Sequence, residues 1–445
     1  MRQSLSAGFL ILLCSQACFA VERSGAVAAT TTPGPGVLIA WNERLLAAAE
    51  AEDGFLTLKG LRTAAMAHAS IHDALSAIHG RYRPLLGVGE APGADSLAAT
   101  AQAAFSIAVD QYPDRREEWE REQRAWLGRV PEGAAKQLGV AVGSAAAAAI
   151  LESRRGDGWD GEVEYQWRPM APGVYAEFAE HSGTPAGFVF GAGWAKARPF
   201  VLSSPDQFRS PPPPPIASDA YARAFDEVRR LGAFESPDRS QDETHLALWW
   251  KEFVESSHNR LARQLIAEED LDLVEAARFF ALLEMSIYDA YVAVFDNKFR
   301  YNHWRPYTAI RSAGHDGNPD TEPDPDWDNA HRHSYAFPSY PSAHGTACAA
   351  AMTVFATTFG DDRPIVMTTR EVDRAGPFSG KIAMDPPTRS FPSFSAAAKE
   401  CALSRVYLGI HFRYDSEEGT RLGGEVGSYV MAHALRPART GAELN

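Results

Sequence analysis

The sequence predicts an all-α protein whose helices pack in bundles around one large core and carry a long irregular excursion. Apolar residues recur at helical spacing through most of residues 37–435. No run of alternating apolar and polar residues indicates a strand. Residues 156–216 break the helical pattern with Gly, Pro and aromatic residues, including the run Pro211–Pro215.

Helical segments make up most of the chain and fall into two parts. Their predicted bounds are residues 37–51, 56–78, 96–112, 114–128, 132–155, 218–231, 244–254, 257–266, 271–297, 342–359, 394–408 and 419–435. Residues 37–216 form an N-terminal helical part that includes the irregular excursion, and residues 217–437 form a C-terminal helical part. Residues 21–36, which are small, polar and rich in Pro and Gly, are predicted to be a flexible lead-in.

Residues 1–20 have the organisation of a signal peptide. A positively charged start, Met1–Gln3, precedes the apolar run Ala7–Leu13, and Ala20 is a small residue that suits cleavage. The run is too short to cross a bilayer, and no later stretch approaches 18 uninterrupted apolar residues. We therefore expect an exported protein, periplasmic or extracellular, without a membrane span.

The net charge argues against a nucleic-acid-binding protein, and the cysteine content argues against a disulfide-rich protein. The formal net charge of −14 makes the chain a poor binder of nucleic acid. Of the 4 cysteines, Cys14 and Cys18 lie in the predicted signal, so no disulfide framework is expected. Cys348 and Cys401 lie in Ala-rich helical context, where buried free thiols are favoured and a single bridge is the alternative.

Two pairs of histidines have spacings that metal ligands also use. His68 and His72 lie four residues apart, on one face of a predicted helix, without the glutamate of a zinc protease motif. Packing histidines are the favoured interpretation. His331 and His333 lie in an acidic, Pro-containing loop, residues 315–334, and are predicted to be surface residues.

Three cations of the C-terminal part suggest a site for an oxyanion. Lys298, Arg305 and Arg405 supply a point charge and two planar forks, which suit the oxygens of a phosphate-like anion. Any one of them, taken singly, is more simply a surface or salt-bridged cation. Whether the three cations form one anion site depends on the neighbouring motifs.

A predicted helix start lies between these cations in the sequence. Pro341 precedes Ser342, which suits an N-cap, so the backbone N–H groups of Ala343 and the next residues point outward where the helix dipole favours anions. The Ser342 hydroxyl can bind one oxyanion oxygen. His344 is placed to exchange a proton with a ligand or leaving group, with capping or packing as its alternative.

A second histidine has a carboxylate partner. His411 could bond to the central atom of an oxyanion through one ring nitrogen. Asp415, four residues later, could accept the other ring N–H on a helical turn, which fixes the tautomer and raises the basicity of the ring. These complementary roles make the set more informative than any single residue.

These stretches resemble the signature of the superfamily that joins type 2 phosphatidic acid phosphatases, bacterial class A acid phosphatases and vanadium-dependent haloperoxidases. The signature reads Lys-x6-Arg-Pro, Pro-Ser-Gly-His and Ser-Arg-x5-His-x3-Asp. It is matched here by Lys298, Arg305 and Pro306, by Pro341, Ser342 and His344, and by Ser404, Arg405, His411 and Asp415. Ala343 replaces the motif glycine; it keeps the backbone N–H and adds a methyl group.

Flanking segments resemble the bacterial haloperoxidase-like branch and extend the resemblance over most of the mature chain. They include Asn302–Arg311, the helix around His72 and the region Arg198–Arg209. The resemblance implies two packed helical bundles of the haloperoxidase type and a homo-oligomer. It also implies small-molecule substrates: hydrogen peroxide, a halide and an organic acceptor.

The resemblance further implies a role for each motif residue. His411 would ligate vanadium, His344 would act as the acid–base residue and Asp415 would orient His411. The oxygens of vanadate would be held by Lys298, Arg305, Ser342, the Ala343 N–H and Arg405.

Two alternatives use the same pocket. A phosphomonoesterase would need no vanadate, and His411 would attack the phosphorus of a phosphate ester to form a phosphohistidine. A non-catalytic oxyanion-binding protein would need neither a proton shuttle nor a nucleophile, so His344 argues against it. Chain length and the flanking segments favour the haloperoxidase interpretation.

Overall fold

A computed structural model describes residues 34–53, 58–161, 163–376 and 379–438. The predicted signal peptide, residues 1–20, and the lead-in as far as residue 33 lie outside these described residues. Within them the secondary structure is helical, which confirms the all-α prediction, with four short strands in addition.

The helices follow one another in the order of the predicted segments. Those before the irregular excursion are α1 (Gly36–Asp53), α2 (Leu58–His79), α3 (Ser96–Gln111), α4 (Arg116–Leu127) and α5 (Ala134–Ser153). The short α6 (Ala179–Ser182) lies inside the excursion, and the helices that follow are α7 (Asp219–Leu231), α8 (Gln241–Trp249), α9 (Val254–Glu268), α10 (Leu273–Tyr301), α11 (Pro306–Arg311), α12 (Ala343–Phe359), α13 (Phe394–Tyr407) and α14 (Arg413–His433). Helices α6 and α11 were not among the predicted segments.

Two groups of helices pack around α10. Helices α2, α3 and α5 contact one another, α12 contacts α13 and α14, and α10 contacts both α2 and α12. Gly143 on α5 allows the close approach to α3, because a Cβ there would overlap the carbonyl oxygen of Ala99. These contacts make α10 the shared wall of both groups. The predicted division at residue 216 stays a prediction.

Helix α10 has well-defined ends that set the position of the residues after it. Asp272 caps its N-terminus in a capping box with Glu275, and Asn302 ends it in the left-handed conformation at φ 53°. Most of the side chains between them are buried, including Lys298 in the last turn. A cation therefore lies at the end of a core helix, facing inward.

The irregular excursion is attached to α10 by buried polar side chains. The Asp289 carboxylate accepts hydrogen bonds from the backbone N–H groups of Phe200, Val201 and Leu202, at 2.6, 2.8 and 2.9 Å. Asn297 accepts another from the Ser210 N–H at 2.9 Å. These bonds satisfy backbone groups that have no helical partner, and they hold the excursion against the core.

Four short strands were not predicted. Strand β1 (Ile365–Thr368) pairs antiparallel with β4 (Thr388–Phe391), and β2 (Glu371–Asp373) pairs antiparallel with β3 (Lys381–Ala383). Each has three or four residues, which is too short for alternation to stand out in the sequence. They form a local ribbon between α12 and α13.

Helix α5 is, by length and hydropathy, able to cross a membrane, and it is the one such helix among the described residues. About a third of its apolar window, 33%, is buried, and it packs against α2 and α3. The expectation of no membrane span stays a prediction.

Two expectations about single residues were wrong. Cys348 and Cys401 form a disulfide rather than free thiols, because they face each other from the adjacent helices α12 and α13 with Cα atoms 6.6 Å apart. His331 is buried rather than at the surface. His68 and His72 are buried packing residues, as predicted; His68 contacts Asn42 at 3.1 Å.

Candidate active site

The three sequence motifs meet at one buried place. The end of α10, the N-terminus of α12, the end of α13 and the first turn of α14 converge there. The side chains of Lys298, Arg305, Arg405, His411 and Asp415 are all buried. The fold thus brings together residues that lie more than a hundred positions apart.

Lys298 is held by backbone carbonyls rather than by a carboxylate. Its Nζ donates to the Pro338 oxygen at 3.0 Å and to the Ser339 oxygen at 2.7 Å. Burial, together with the nearby charge of Arg305, lowers the pKa of Lys298 well below its ordinary value, and Asp415 opposes this effect. Lys298 therefore also orders the backbone that leads into α12.

Arg305 has a comparable environment. Its Nε donates to the Phe337 oxygen at 2.9 Å and its Nη1 to the Ile410 oxygen at 3.0 Å. The Phe337 ring lies 4.6 Å from the guanidinium carbon, a cation–π contact. Nη2 is buried and has no hydrogen-bond partner among the described residues. Burial lowers the pKa of Arg305 to about 10, so this donor is charged and available.

Arg405 completes the set of cations. Its Nε donates to Ser404 Oγ at 3.0 Å, and its Nη2 donates to the carbonyl oxygen of Trp250. Burial lowers its pKa to about 10. Among the described residues, no carboxylate is hydrogen-bonded to Arg405 or forms a salt bridge with it.

One ring nitrogen of His411 is hydrogen-bonded to Asp415, and the other contacts no carboxylate among the described residues. Nδ1 lies 2.8 Å from Asp415 Oδ2, so the proton is assigned to Nδ1 and the lone pair to Nε2. Nε2 lies 3.2 Å from Arg305 Nη1. Burial and the surrounding cations lower the pKa of His411 well below its ordinary value. A neutral ring with a lone pair on Nε2 is what a nucleophile or metal ligand requires, and in this structure that lone pair accepts a hydrogen bond from Arg305 Nη1.

Asp415 is held by more than the imidazole. Its Oδ2 also accepts hydrogen bonds from Ser339 Oγ and from the Phe412 N–H, the latter at 3.2 Å. Burial raises its pKa to about 7, while the Ser339 hydroxyl and the cations Lys298 and Arg305 act in the opposite direction. The carboxyl therefore titrates close to neutral pH.

The N-terminus of α12 presents donors to the same place. Ser342 is the N-cap, and its Oγ accepts from the Gly345 N–H at 3.2 Å. The N–H groups of Ala343 and His344 belong to the first turn, where no intrahelical acceptor exists. His344 Nε2 is buried without a hydrogen-bond partner among the described residues, and burial lowers the pKa of this ring well below its ordinary value.

The charge balance of the site is positive. Three cations contact backbone carbonyls, and Asp415 is the one carboxylate that the described residues place in their hydrogen-bond network. Buried charge without a counter-charge is costly. A bound anion with two negative charges would remove that cost, so the geometry is that of an oxyanion site.

Comparison with known proteins finds similarity in the C-terminal part that carries these residues. Residues 278–440 match the family model of the VCPO second helical-bundle domain. The vanadium chloroperoxidase of Curvularia inaequalis is 28% identical over 262 residues, which cover 46% of this chain and 42% of that protein. The chain is thus matched to less than half of this relative's length.

Solved structures agree over more of the chain. A bacterial vanadium-dependent iodoperoxidase superposes with a TM-score of 0.71 at 24% identity and covers 92% of this chain and 98% of its own. A holo-type bacterial vanadium-dependent chloroperoxidase gives 0.62 at 18% identity, covering 85% and 92%. The chain thus resembles vanadium haloperoxidases in sequence over residues 278–440 and in fold over most of its length.

A cavity of about 410 Å³ opens onto the oxyanion site. Ala343, His344, Arg405 and His411 are among the residues that line it. Most of the remaining wall is aromatic and comes from the irregular excursion, α10 and residues 335–337. The cavity gives small molecules a route to the motif residues.

Sequence reasoning missed three features of this site. Ser339, next to the second motif, was not assigned a role, although it bonds to Asp415. The carbonyl of Trp250, far away in the sequence, binds Arg405. His333, predicted at the surface, lines the cavity. A serine in the motif stretch was the one local signal; the other two are tertiary contacts without a sequence signature.

Proposed function

We propose that this chain is a vanadate-dependent haloperoxidase-like enzyme, which uses hydrogen peroxide to oxidise a halide. The observation that carries the proposal is the group of three buried cations, held by backbone carbonyls, around His411, whose Nε2 lies 3.2 Å from Arg305 Nη1. The names of the similar proteins support the choice of vanadate and of haloperoxidase chemistry.

The residues present fit orthovanadate. Arg305 Nη2 and His344 Nε2 are buried donors or acceptors without partners in the described part of the chain, and both belong to the motifs. The residues that would hold the group are Lys298, Arg305, Ser342, Ala343 through its N–H, Arg405 and, as the ligand to vanadium, His411. When bound, vanadate supplies a Lewis-acid centre that makes hydrogen peroxide more electrophilic toward a halide.

His411 and Asp415 act as one unit in this proposal. The Asp415 carboxylate accepts the Nδ1 proton at 2.8 Å, which keeps the Nε2 lone pair directed toward the oxyanion. The Ser339 hydroxyl and the Phe412 N–H hold the carboxylate in place. Protonation of Asp415 would remove the negative charge that favours this tautomer.

His344 is the residue that moves a proton. Halide, hydrogen peroxide and one proton give hypohalous acid and water, so a proton must reach the peroxide oxygen that leaves as water. His344 lines the cavity, and its Nε2 has no other partner among the described residues. Anion binding raises the pKa of a nearby imidazole, so the ring gains its proton when the site is filled and donates it during turnover.

Export and assembly remain part of the proposal. The Cys348–Cys401 disulfide is the kind of bond that persists in oxidising compartments, which supports a periplasmic or extracellular location. The homo-oligomer implied by the resemblance is to be tested by sedimentation of the purified protein.

A paired assay tests the function. Orthovanadate-loaded protein is given hydrogen peroxide with iodide, bromide or chloride, and vanadate-free protein is given p-nitrophenyl phosphate. We expect vanadate-dependent halide oxidation that His344→Ala lowers by about two orders of magnitude. Phosphate-ester hydrolysis that vanadate inhibits, with no halide oxidation, would establish the phosphatase alternative instead. Anion binding without either reaction would establish a binding protein.

A further inference from the structure

Two glutamates are buried without a cation that neutralises them. Glu255, in the first turn of α9, and Glu284, on α10, are each 1% exposed. Glu255 Oε2 and both carboxylate oxygens of Glu284 have no hydrogen-bond partner among the described residues. Burial of an ionised carboxylate without a partner is costly, so both groups favour the protonated form.

The hydrogen-bond network next to the pair is neutral. Asn259 of α9 donates through Nδ2 to the Glu255 carbonyl oxygen at 2.9 Å. Asn42 of α1 donates to Asn259 Oδ1 at 2.7 Å and lies 3.1 Å from His68 Nε2 of α2. Burial lowers the pKa of His68 to about 3, so that ring carries no charge near neutral pH. The neighbouring helices therefore offer no charge to balance an ionised Glu255.

Tyr291 of α10 joins Glu255 to the cavity that opens onto the oxyanion site. Its hydroxyl is hydrogen-bonded to the Glu255 carboxyl, and its side chain lines the cavity together with His344 and Arg405. Burial raises the pKa of Tyr291 well above its ordinary value. Tyr291 therefore stays a neutral hydroxyl, which can accept a proton on one side and donate one on the other. Glu284 is not among the described residues that line the cavity.

The two carboxyls lose their protons in a defined order. Burial raises the pKa of Glu255 to about 7, and the hydrogen bond from Tyr291 opposes this effect. Burial raises the pKa of Glu284 to about 8, where the charge of Glu255 adds to the rise and that of Arg263 opposes it. Arg263 is itself paired with Glu43 at 3.1 Å. Glu255 therefore ionises first, close to neutral pH, while Glu284 stays neutral.

His344 needs a source of protons at the same cavity. In the proposed reaction it gives up one proton in each turnover and must regain it before the next. Burial, and then the charge of Arg405, lower the pKa of His344 well below its ordinary value, so the ring holds a proton poorly. A carboxyl that is joined to the cavity by one hydroxyl, as Glu255 is, suits the role of proton donor.

We propose that Glu255 and Tyr291 form an internal proton reservoir for the oxyanion site, which takes up a proton when the anion binds and returns it to the cavity during turnover. The return rests on the proposed function. A bound dianion disfavours a further negative charge nearby, so its arrival favours the protonated Glu255. In the return, the Glu255 O–H bond breaks as Tyr291 Oη accepts the proton, and the proton of the Tyr291 hydroxyl passes through cavity water to His344. Glu255 is left as a carboxylate and regains a proton from solvent by the reverse path.

Proton uptake on anion binding tests the reservoir without turnover. Tungstate is the probe, because this tetrahedral dianion does not titrate near neutral pH. Calorimetry of vanadate-free protein at pH 7, in buffers with different ionisation enthalpies, gives the number of protons taken up per anion bound. An anion that raises the pKa of Glu255 by about one unit causes uptake of about 0.4 proton by this group. Glu255→Gln should lose that uptake, and Glu284→Gln, the matched change in a carboxyl that stays neutral, should keep it.

Two further measurements do not depend on the folding of Glu255→Gln. In wild-type protein with isotope-labelled glutamate, tungstate should increase the infrared C=O absorption of protonated carboxyls, in a band that the label shifts. A band that the label leaves in place belongs to an aspartate. Tyr291→Phe keeps the ring and removes the hydrogen bond that favours the carboxylate, so the uptake maximum should move to higher pH.

Turnover tests the return step. With vanadate-loaded protein, iodide and hydrogen peroxide at pH 7, we expect the kcat of Glu255→Gln to fall at least about threefold below that of the wild type and of Glu284→Gln. The deficit should be smaller at pH 5, where solvent supplies protons. The same deficit in Tyr291→Phe, which keeps Glu255, would indicate a proton path rather than the structural loss of one carboxyl.

The outcomes separate the reservoir from the proposed function. Equal proton uptake by Glu255→Gln and the wild type, or absence of the labelled C=O band, would overturn the reservoir. Normal uptake with equal kcat in the wild type and all three variants would overturn the return step. Normal uptake without halide oxidation by the wild type would overturn the proposed function and leave the uptake in place. Absence of tungstate binding would overturn the oxyanion site on which both proposals rest.

Discussion

The hydroxyl of Ser339 should tune the anion site, and its removal tests the network around Asp415. Ser339 Oγ donates to Asp415 Oδ2 and lies 3.2 Å from His411 Nδ1. A hydrogen bond to a buried charged group is worth about 1.5–3 kcal/mol. Since one pKa unit corresponds to about 1.4 kcal/mol, Ser339→Ala should raise the pKa of Asp415 by roughly one to two units.

The expected rise in the pKa of Asp415 can be detected through the pH dependence of vanadate binding. The pKa of Asp415 is about 7, so in the wild type the carboxyl is largely ionised at pH 8. In Ser339→Ala at least about half of it would be protonated at that pH, and His411 would lose to that extent the anionic partner that raises its basicity. Loss of such an outer partner lowers metal affinity about 10- to 100-fold. The deficit should be largest near pH 8 and smaller at pH 6, where Asp415 is protonated in both proteins.

Orthovanadate binding, measured by isothermal titration calorimetry from pH 6 to pH 9, is the assay. Ser416→Ala is the matched control, because Ser416 Oγ is also buried, lies next to Asp415 and has no hydrogen-bond partner among the described residues. At each pH both variants are titrated with the same vanadate species, so changes in vanadate speciation do not contribute to the difference between them. Ser339→Ala and Ser416→Ala curves that coincide between pH 7 and pH 8 would refute the reasoning.

Three further predictions concern the cations, a buried acidic pair and the disulfide. Arg305→Lys keeps the charge but loses the planar fork that contacts the Phe337 and Ile410 carbonyls, so phosphate or vanadate affinity in calorimetry should fall at least about tenfold; equal affinity would show that charge alone suffices. Burial raises the pKa of Glu284 to about 8 and that of Glu255 to about 7. The folded state then keeps protons that the unfolded state releases above pH 4.5, so the free energy of unfolding should fall as pH rises from 5 to 8. Glu284→Gln should reduce that fall by an amount on the order of 1–4 kcal/mol in urea denaturation, and an unchanged pH profile would contradict it. Replacing both Cys348 and Cys401 by Ser opens a loop with a sequence separation of 53, which should lower the free energy of unfolding by about 2–4 kcal/mol, and a reductant should then affect only the wild type.

Long helices were predictable because their signals are local. The periodic segment 271–297 became α10, and its bounds shifted only to Leu273–Tyr301. The start of the last helix could not be predicted from local sequence signals. Helix α14 begins at Arg413 rather than at Gly419. Its first turn is polar, so the sequence pattern favoured a loop there, whereas in the structure Asp415 accepts a hydrogen bond from the Phe412 N–H.

The site was predictable to the extent that the motif spacing encodes it. Lysine, arginine and histidine at those spacings indicated which side chains would meet, and the structure brings them together. The carbonyls that hold Lys298 and Arg405 were not predictable, since backbone groups have no sequence signature. The aromatic cavity was missed for the same reason: Trp194 and Phe295 meet only after the excursion folds onto α10.

A contrast between two groups of buried arginines explains why the motif cations indicate an anion. Arg62 and Arg154 share the carboxylate of Asp157, at 2.8 and 2.7 Å, so their charge is matched within the fold and their role is structural. Arg305 and Arg405 donate to carbonyls instead, which orient a guanidinium without cancelling its charge. Burial without a counter-charge disfavours the charged form, and the fold therefore keeps these two cations in a state that a bound oxyanion stabilises. Pairing with carboxylates would have given the same packing and no anion site.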